Sequence, residues 1–528
     1  MVIGTVQAFN TQVASALPSE VQPAVLLCDR HPAGDIAFTV LDANLDSVDL
    51  SYGLLKDRSE RAAALFASMG IKPGDRVATL MGKSADLIYT LVGLWRLGAV
   101  HVPLFTAFAT PAIEVRVAGS GAKLIVADDS QLEKLEGLDY PVLRTSGLES
   151  LLDSQPTGFR ACTRSINDPL VEIFTSGTTG TPKGVPVPVR ALEAFNIYFE
   201  YGLGVREGDV FWNVADPGWA YGLYYGILAP LYAGRSNLLL STGFNAELCW
   251  KVLAKFGVTN FAGAPTIVRS LRAARPAGVP GLKIQRASSA GEPLDAPTIA
   301  WSESVLGVPV RDHYGQTEMG MCIVNGWAPE ALATVKPGSM GRPMPGYSAC
   351  VLLEDADECA PAGTRGRVAI DIPASPMMWF SGYSGDPERT AARYSADGRW
   401  YFTGDAGSMD EDGYIFFSSR DDDVIIMAGY RIGPFEVESV LAAHPDVQES
   451  AVIGVPDELR GEVLVAYVVL RDGIQGSETL TADLQKLVKS QYAAHAYPRR
   501  ITYVNELPKT PSGKLQRFVL RKAESLRD

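Results

Sequence analysis

The stretch LSYGLLKDRSERAAALFASMGIKPGDRVATLM, residues 50–81, joins one helix to one strand. Apolar residues recur at helical spacing from Leu54 to Met69, Gly70 stops the run, a Lys-Pro-Gly-Asp turn follows, and Arg76 to Met81 reads as a short strand. The same rhythm returns at Ala85 to Leu97 then Ala99 to Pro103, and at Ala246 to Phe256 then Val258 to Ala262. Helix followed by buried strand predicts an α/β fold: a mainly parallel sheet covered by helices. At 528 residues the chain outgrows a single core, so a large multi-subdomain region and a smaller domain are expected. No fixed-period repeat is visible, which argues against a solenoid.

From about Gly341 the pattern shifts to short alternating strands and Gly-containing turns, as in "GRVAID" and "DEDGYIFFSSR", predicting a β-rich subdomain. After "SSRDDDVIIMAGYRIGP" the chain reads as helix Phe435 to His444, strand Ser450 to Val455, strand Glu462 to Leu470 and helix Leu480 to Gln491, a small α+β unit. A boundary near Asp422 divides the chain into an N-terminal domain, 1–421, and a small C-terminal domain, 422–528.

Composition removes several function classes. Sixty acidic against forty-seven basic residues give a net charge of −13, which argues against binding nucleic acid or an anionic membrane through the overall field. Six cysteines without a C-x-x-C pair suggest neither a disulfide framework nor a thiolate zinc site, and fit a reducing cytoplasm. The N-terminus lacks the marks of a signal peptide, and the most apolar stretch, Leu87 to Phe105, is interrupted by Arg96, His101 and Pro103. It reads as a buried helix and strand, and no membrane span is expected.

Between two predicted strands lies "TSGTTGTPKG", Thr175 to Gly184. Backbone N–H groups, hydroxyls and the Lys183 charge suit phosphate oxygens. A surface turn accounts for such a stretch equally well. The spacing excludes a Walker A loop: Gly177 and Gly180 are separated by two residues, and Gly184 follows Lys183 where Ser or Thr is needed.

Four further segments follow in order: "SAGEPLD" (289–295), "DHYGQTEMG" (312–320), "YFTGDAGSMDEDGYIFFSSRDDDVIIMAGYRIGPFEVES" (401–439) and "YVNELPKTPSGKLQR" (503–517). With the loop they resemble the AMP-forming acyl-CoA synthetases of the adenylate-forming superfamily, which includes luciferases and peptide-synthetase adenylation domains. The phrases are most similar to those of short- and medium-chain fatty acyl and aryl-CoA synthetases. The resemblance implies a two-step reaction: a carboxylate and ATP give an acyl-adenylate and diphosphate, and the CoA thiol then displaces AMP.

It also implies roles. Thr175, Ser176, Gly177, Thr178, Thr179, Gly180 and Lys183 would hold the β- and γ-phosphates, Thr317 would meet the α-phosphate, and Glu318 would ligate Mg²⁺. Gly291, Glu292, Pro293, Asp312, His313 and Tyr314 would line the adenine slot; Asp405 would bind the ribose hydroxyls, assisted by Arg420. Lys514 would bridge the attacking carboxylate and the α-phosphate. The hinge would be Asp422, set among three Asp residues that prefer solvent, and rotation about it would bring Gly429, Tyr430 and Arg431 to the site for the CoA step. "PKTPSGK" resembles a segment acetylated in some relatives, so a lysine acetyltransferase and deacetylase acting on Lys514 are implied partners.

For the acid, the resemblance places Trp219, Ala220, Tyr221 and Ala290 beside the acyl group. Acetate-specific relatives carry Trp immediately before the Gln of "QTE"; here it is Gly315. Hydrogen in place of an indole implies a larger acid than acetate: a short- to medium-chain aliphatic acid, or alternatively an aryl acid such as benzoate. One departure stands out, since "GVPVPVRALEAF" has Pro186, Pro188 and Arg190 where many relatives carry a His. A free-standing adenylation enzyme loading a carrier protein is the competing reading, although the expected pocket lacks the acidic residue that amino-acid-activating relatives usually place there.

Overall fold

The structure of the protein, a computed structural model, describes residues 16–175, 182–276, 281–331, 334–420, 423–427, 430–457, 461–492, 496–510 and 515–525. Ser51 and Ser84 accept hydrogen bonds from the N–H groups of Leu54 (3.2 Å) and Leu87 (3.1 Å), starting helices Tyr52–Ser68 and Ala85–Leu97. Gly98, left-handed at φ 81°, ends the second. A Cβ on Gly93 would lie 2.5 Å from that of Ala62, so glycine lets these two helices touch. Arg96, only 1% exposed, is held by Asp29 at 2.9 and 2.5 Å, which explains how a charge sits in so apolar a helix. Burial pulls the pKa of His101 down to about 3, and the neutral ring lies 2.8 Å from Thr79 Oγ1. Among the described residues no helix is long and apolar enough to cross a membrane.

The predicted alternation builds two sheets. Six strands lie in the order Lys183–Pro188, Pro169–Thr175, Val100–Pro103, Arg76–Leu80, Leu124–Ala127 and Val142–Arg144, parallel except for the first pair. A longer path of 13 strands is parallel from Ile36–Leu41 through Asn237–Leu240, Phe211–Asn213, Asn260–Gly263 and Arg286–Ala290 to Val310–Gln316. It continues antiparallel. Ser339–Pro343 pairs with Gly320–Val324 on one side and Ile415–Arg420 on the other, so the strands beyond Gly341 are one sheet with the parallel part rather than a detached layer. The change of pattern in the sequence marks the switch from parallel to antiparallel pairing, where one face of a strand is free to be polar.

The chain from Ile425 forms a separate five-stranded sheet: Tyr430–Ile432, Ile425–Met427, Gly461–Leu470 and Val447–Asp457, with Arg500–Tyr503 added parallel to Gly461–Leu470. Val437, Leu441, Val452, Leu464 and Leu484 belong to one of its own cores. The strand expected at Ser450 to Val455 runs longer, Val447–Asp457, because it pairs along almost its whole length with its neighbour.

Two expectations are corrected. Asp423, last of the three Asp residues, does not seek solvent: its side chain is 14% exposed and takes ion pairs from Arg517 (3.3 Å) and Arg521. Cationic partners some 90 residues away in sequence, invisible to a local charge count, reverse the preference. Cys350 and Cys359 are joined by a disulfide, while Cys28, Cys162, Cys249 and Cys322 are free. The reversal that sets Leu352 opposite Cys359 brings the two together, which spacing alone did not reveal.

Candidate active site

The glycine- and hydroxyl-rich loop leaves the sheet at a hairpin neck where Thr175 and Lys183 face each other across antiparallel strands. Ser176, Gly177, Thr178, Thr179 and Gly180 lie outside the described residues, as do Asp422, Gly429 and Lys514. The ammonium of Lys183 sits 4.8 Å from the ring centre of Tyr383. Burial lowers its pKa first, and the positive charges of Arg393 and Arg389 lower it further against the opposing pull of Glu318.

Strand Val310–Gln316 and the turn after it supply most of the remaining groups. At Gly320 the chain turns back into strand Gly320–Val324, and a bulge between Tyr314 and Gly315 shifts the register. Glu318, 6% exposed, accepts a hydrogen bond from the Tyr383 hydroxyl at Oε1, 2.8 Å away. Arg393 Nε donates to that same hydroxyl oxygen at 3.1 Å. Lys183, Arg389 and Arg393 therefore converge on a region whose nearby carboxylates are Glu318 and Asp386.

Tyr314 and Gln316 both reach Asp405. The tyrosine hydroxyl donates to Oδ2 at 2.5 Å and Gln316 Nε2 donates to the same oxygen at 2.7 Å, with a second bond to the Thr403 carbonyl at 2.8 Å. Arg420 is the register partner of Asp405 on the adjacent strand. Thr317 offers its carbonyl to the Tyr224 hydroxyl at 3.1 Å. Arg431, in strand Tyr430–Ile432, pairs through its backbone with Ile426.

Asp312 is buried, receives the Leu294 N–H at 3.4 Å on Oδ2, and among the described residues Oδ1 has no hydrogen-bond partner. Burial pushes its carboxyl well above the usual carboxylate range. Gly291 and Pro293 follow strand Arg286–Ala290, and Glu292 between them is engaged by Arg269 at 2.6 Å and Thr266 at 3.0 Å.

His313 is fully enclosed, its pKa pulled down to about 3 by burial, so the ring is neutral. Its Nε2 lies 3.3 Å from the Asn325 carbonyl, which can only accept; Nε2 therefore carries the proton and Nδ1 accepts from the Tyr198 hydroxyl at 2.7 Å. Tyr198 in turn accepts from the Tyr221 hydroxyl at 3.1 Å. Adenine-side and acyl-side candidates are thus linked by one directed chain. Ala290 is the strand neighbour of His313.

Trp219 packs on Phe105 (5.3 Å between ring centres) and Phe108 (5.5 Å), and Ala220, beside it, begins the short helix Ala220–Leu223. The expected openness at Gly315 is corrected. A Cβ there would lie 2.1 Å from the Gly320 carbonyl oxygen and 2.6 Å from Met321 Cα, so the bulged hairpin fills the space that the missing side chain was expected to leave. Arg190, in the segment where many relatives were expected to carry a His, donates to the carbonyls of Met378 (3.1 Å) and Trp379 (2.8 Å).

Sequence reasoning passed over Tyr383, Arg393 and Arg389, which lie outside the five motifs, and Tyr198. It also passed over Gln316, which lies inside one. Only "DPERTAARY", with Arg389 and Arg393 four residues apart, carried a signal: two cations spaced to share a helical face.

Comparison with known proteins agrees with this constellation. The family model "AMP-binding enzyme" matches residues 27–383, and "AMP-binding enzyme C-terminal domain" matches 436–514. Acetyl-coenzyme A synthetase of Bacillus subtilis (strain 168) is 34% identical over 518 residues, covering 93% of this chain and 89% of that one. The crystal structure of Brucella canis acyl-CoA synthetase is 40% identical with a TM-score of 0.75, covering 99% of this chain and 97% of its own. That of the anthranilate CoA ligase AuaEII in complex with anthranoyl-AMP is 27% identical with a TM-score of 0.88, covering 97% and 99%. The chain belongs to the AMP-binding enzyme family, among its adenylate-forming acyl-CoA synthetases. Its reaction is that of an AMP-forming carboxylate–CoA ligase, with ATP and CoA as co-substrates.

Proposed function

We propose that the acid is a short- to medium-chain aliphatic carboxylate larger than acetate, and that the groups described above divide the work of activating it. The observation that carries the acid assignment is position 315. Glycine there carries no side chain, so the indole that closes the pocket of acetate-specific relatives is absent and that side is bounded by hairpin backbone instead. An aryl acid is the second reading, favoured by the aromatic pair Trp219 and Tyr221 and by the likeness to an anthranilate CoA ligase.

A carboxylate of pKa ~4 is ionised at neutral pH, so adenylation needs no general base. It needs charge neutralisation around the phosphates and in-line alignment. Lys183, crowded by Arg389 and Arg393, gains by meeting a polyanion, which supports its role at the β- and γ-phosphates together with Thr175 and the hydroxyl loop. The orphaned Oδ1 of Asp312 suits an exocyclic amine of adenine: an incoming N–H offsets part of the burial that pushes this carboxyl up. Asp405, oriented by Tyr314 and Gln316, takes the ribose hydroxyls.

Among the described residues no cluster of three or more His, Cys, Asp or Glu side chains could hold a metal ion. One buried carboxylate, Glu318, fits Mg²⁺, which is bound through one or two carboxylates plus substrate phosphates and water. When bound, the ion supplies charge neutralisation on the phosphates. Lys514 bridges the acid and the α-phosphate, and the small domain, turning about Asp422, exchanges it for the Gly429–Arg431 segment in the CoA step. The paired Asp423 supports a pivot immediately before it, since that residue is ion-paired to the terminal helix Arg517–Glu524.

Diphosphate release measured across C2 to C10 and aromatic acids, then AMP release with and without CoA, tests the reading. Each buried methylene contributes ~0.8 kcal/mol, about fourfold, so butyrate should exceed acetate by roughly 15-fold in kcat/KM. Acetate as the best acid would overturn the assignment. Benzoates as the best acids would select the second reading.

A further inference from the structure

We propose that Tyr383 is a positioning residue that aims both the metal-binding carboxylate and the phosphate-binding lysine; the inference rests on Glu318 being the metal ligand. The polarity of its contacts is fixed by chemistry. A guanidinium can only donate, so Arg393 Nε supplies the hydrogen bond to the Tyr383 oxygen at 3.1 Å. The Tyr383 proton is then directed to Glu318 Oε1, at 2.8 Å. One oxygen of Glu318 is occupied, its rotamer is set, and Oε2 is the oxygen left for a cation.

The other face of the phenol has a second use. The Lys183 ammonium lies 4.8 Å from the ring centre, so the ring is a platform for the cation that enters from the neck of the hydroxyl loop. Tyr383 is itself held from several sides. Its N–H donates to Thr390 Oγ1 at 2.9 Å, its backbone pairs with Asp386, and its ring meets Phe380 edge-on at 5.0 Å. Arg393 is anchored by the carbonyls of Phe402 (3.3 Å) and Thr403 (3.1 Å), the latter also bound by Gln316. The path Thr403, Arg393, Tyr383, Glu318 thus joins the proposed ribose side of the site to the proposed metal side through contacts within the protein alone.

The hydroxyl and the ring make separable predictions. Tyr383→Phe keeps the platform and loses the aim; Tyr383→Leu loses both. Mn²⁺ binding to the full-length enzyme with ATP, read by electron paramagnetic resonance, and ATP binding in EDTA, read by calorimetry, distinguish them. Tyr383→Phe should weaken Mn²⁺ about tenfold, the size typical when a partner of a metal ligand is removed, and leave metal-free ATP binding within about twofold of wild type. Tyr383→Leu should in addition weaken metal-free ATP binding by about two- to fivefold, as the lysine loses its ring.

Glu318→Gln separates the layers. If it leaves Mn²⁺ affinity unchanged, Glu318 is not the metal ligand and the underlying reading fails. If it abolishes Mn²⁺ binding while Tyr383→Phe matches wild type, only the positioning role is overturned. Equal metal-free ATP affinities in the two Tyr383 variants would overturn the platform. Should Tyr383→Phe not fold, Arg393→Leu removes the lock from its other end and is read against the same tenfold loss.

Discussion

The side of the site proposed to take phosphate and ribose is assembled by different means from the side proposed to take the acid. On the first, polar side chains hold one another: Tyr314 and Gln316 on Asp405, Arg393 on Tyr383, Tyr383 on Glu318. On the second, Trp219 leans on two phenylalanines and position 315 is shaped by a backbone bulge. Hydrogen bonds have direction and so demand a particular partner, whereas packing demands mainly a volume. The first side therefore prescribes mainly the chemistry of what it holds and the second mainly its size, with the Tyr221–Tyr198–His313 hydrogen bonds crossing between them.

The largest test of that division is Lys514→Ala. Acyl-adenylate formation should fall about 10²–10³-fold, the scale for losing one preorganised electrostatic group. CoA-dependent consumption of supplied acyl-adenylate should persist. Equal loss of both steps in stopped-time assays would show that Lys514 does not serve adenylation alone.

Next in size is Asp405→Ala. Losing hydrogen bonds to a charged acceptor, roughly 1.5–3 kcal/mol, should raise the KM for ATP by about 10- to 100-fold. Discrimination against deoxyribose analogues should disappear, with the ranking of acids unmoved. A changed ranking would mean that the two halves are not separable. The smallest effect on turnover is expected at Gly315. Gly315→Ala should cost about 1–3 kcal/mol of stability through overpacking, read by chemical denaturation, without making acetate preferred. A Gly315→Trp enzyme that melts with wild type and turns to acetate would restore the open pocket inferred from sequence.

The same division separates what the sequence makes legible from what it hides. Helix Ala85–Leu97 was legible to the residue because its start and stop are local: a serine cap and a left-handed glycine. The strands Pro169–Thr175 and Lys183–Pro188 were legible because each is an apolar run beside a stretch of Gly and hydroxyl residues. The motif residues Asp312, Tyr314 and Glu318 lie on one strand and its turn, so their order in the chain is their order in space. Tyr383 was not legible, since it meets Glu318 from 65 residues away and neither residue announces the other. Nor was the direction of the Cβ at 315, which depends on a register shift that no residue type encodes by itself. The Asp423 pairs failed for the same reason: both arginines come from the far end of the chain.

The unbroken strand path from Ile36–Leu41 to Ala349–Leu352 also bears on how the enzyme comes apart. Asp405 and Glu318 lie on segments of one hydrogen-bonded layer, joined through Ser339–Pro343. Local opening that freed one would have to strip the ladder that supports the other, so the two belong to a single cooperative unit. On the roles proposed for Asp405 and Glu318, nucleotide bound at the first would then protect the second against unfolding, although the ligand itself need not touch the strands between them.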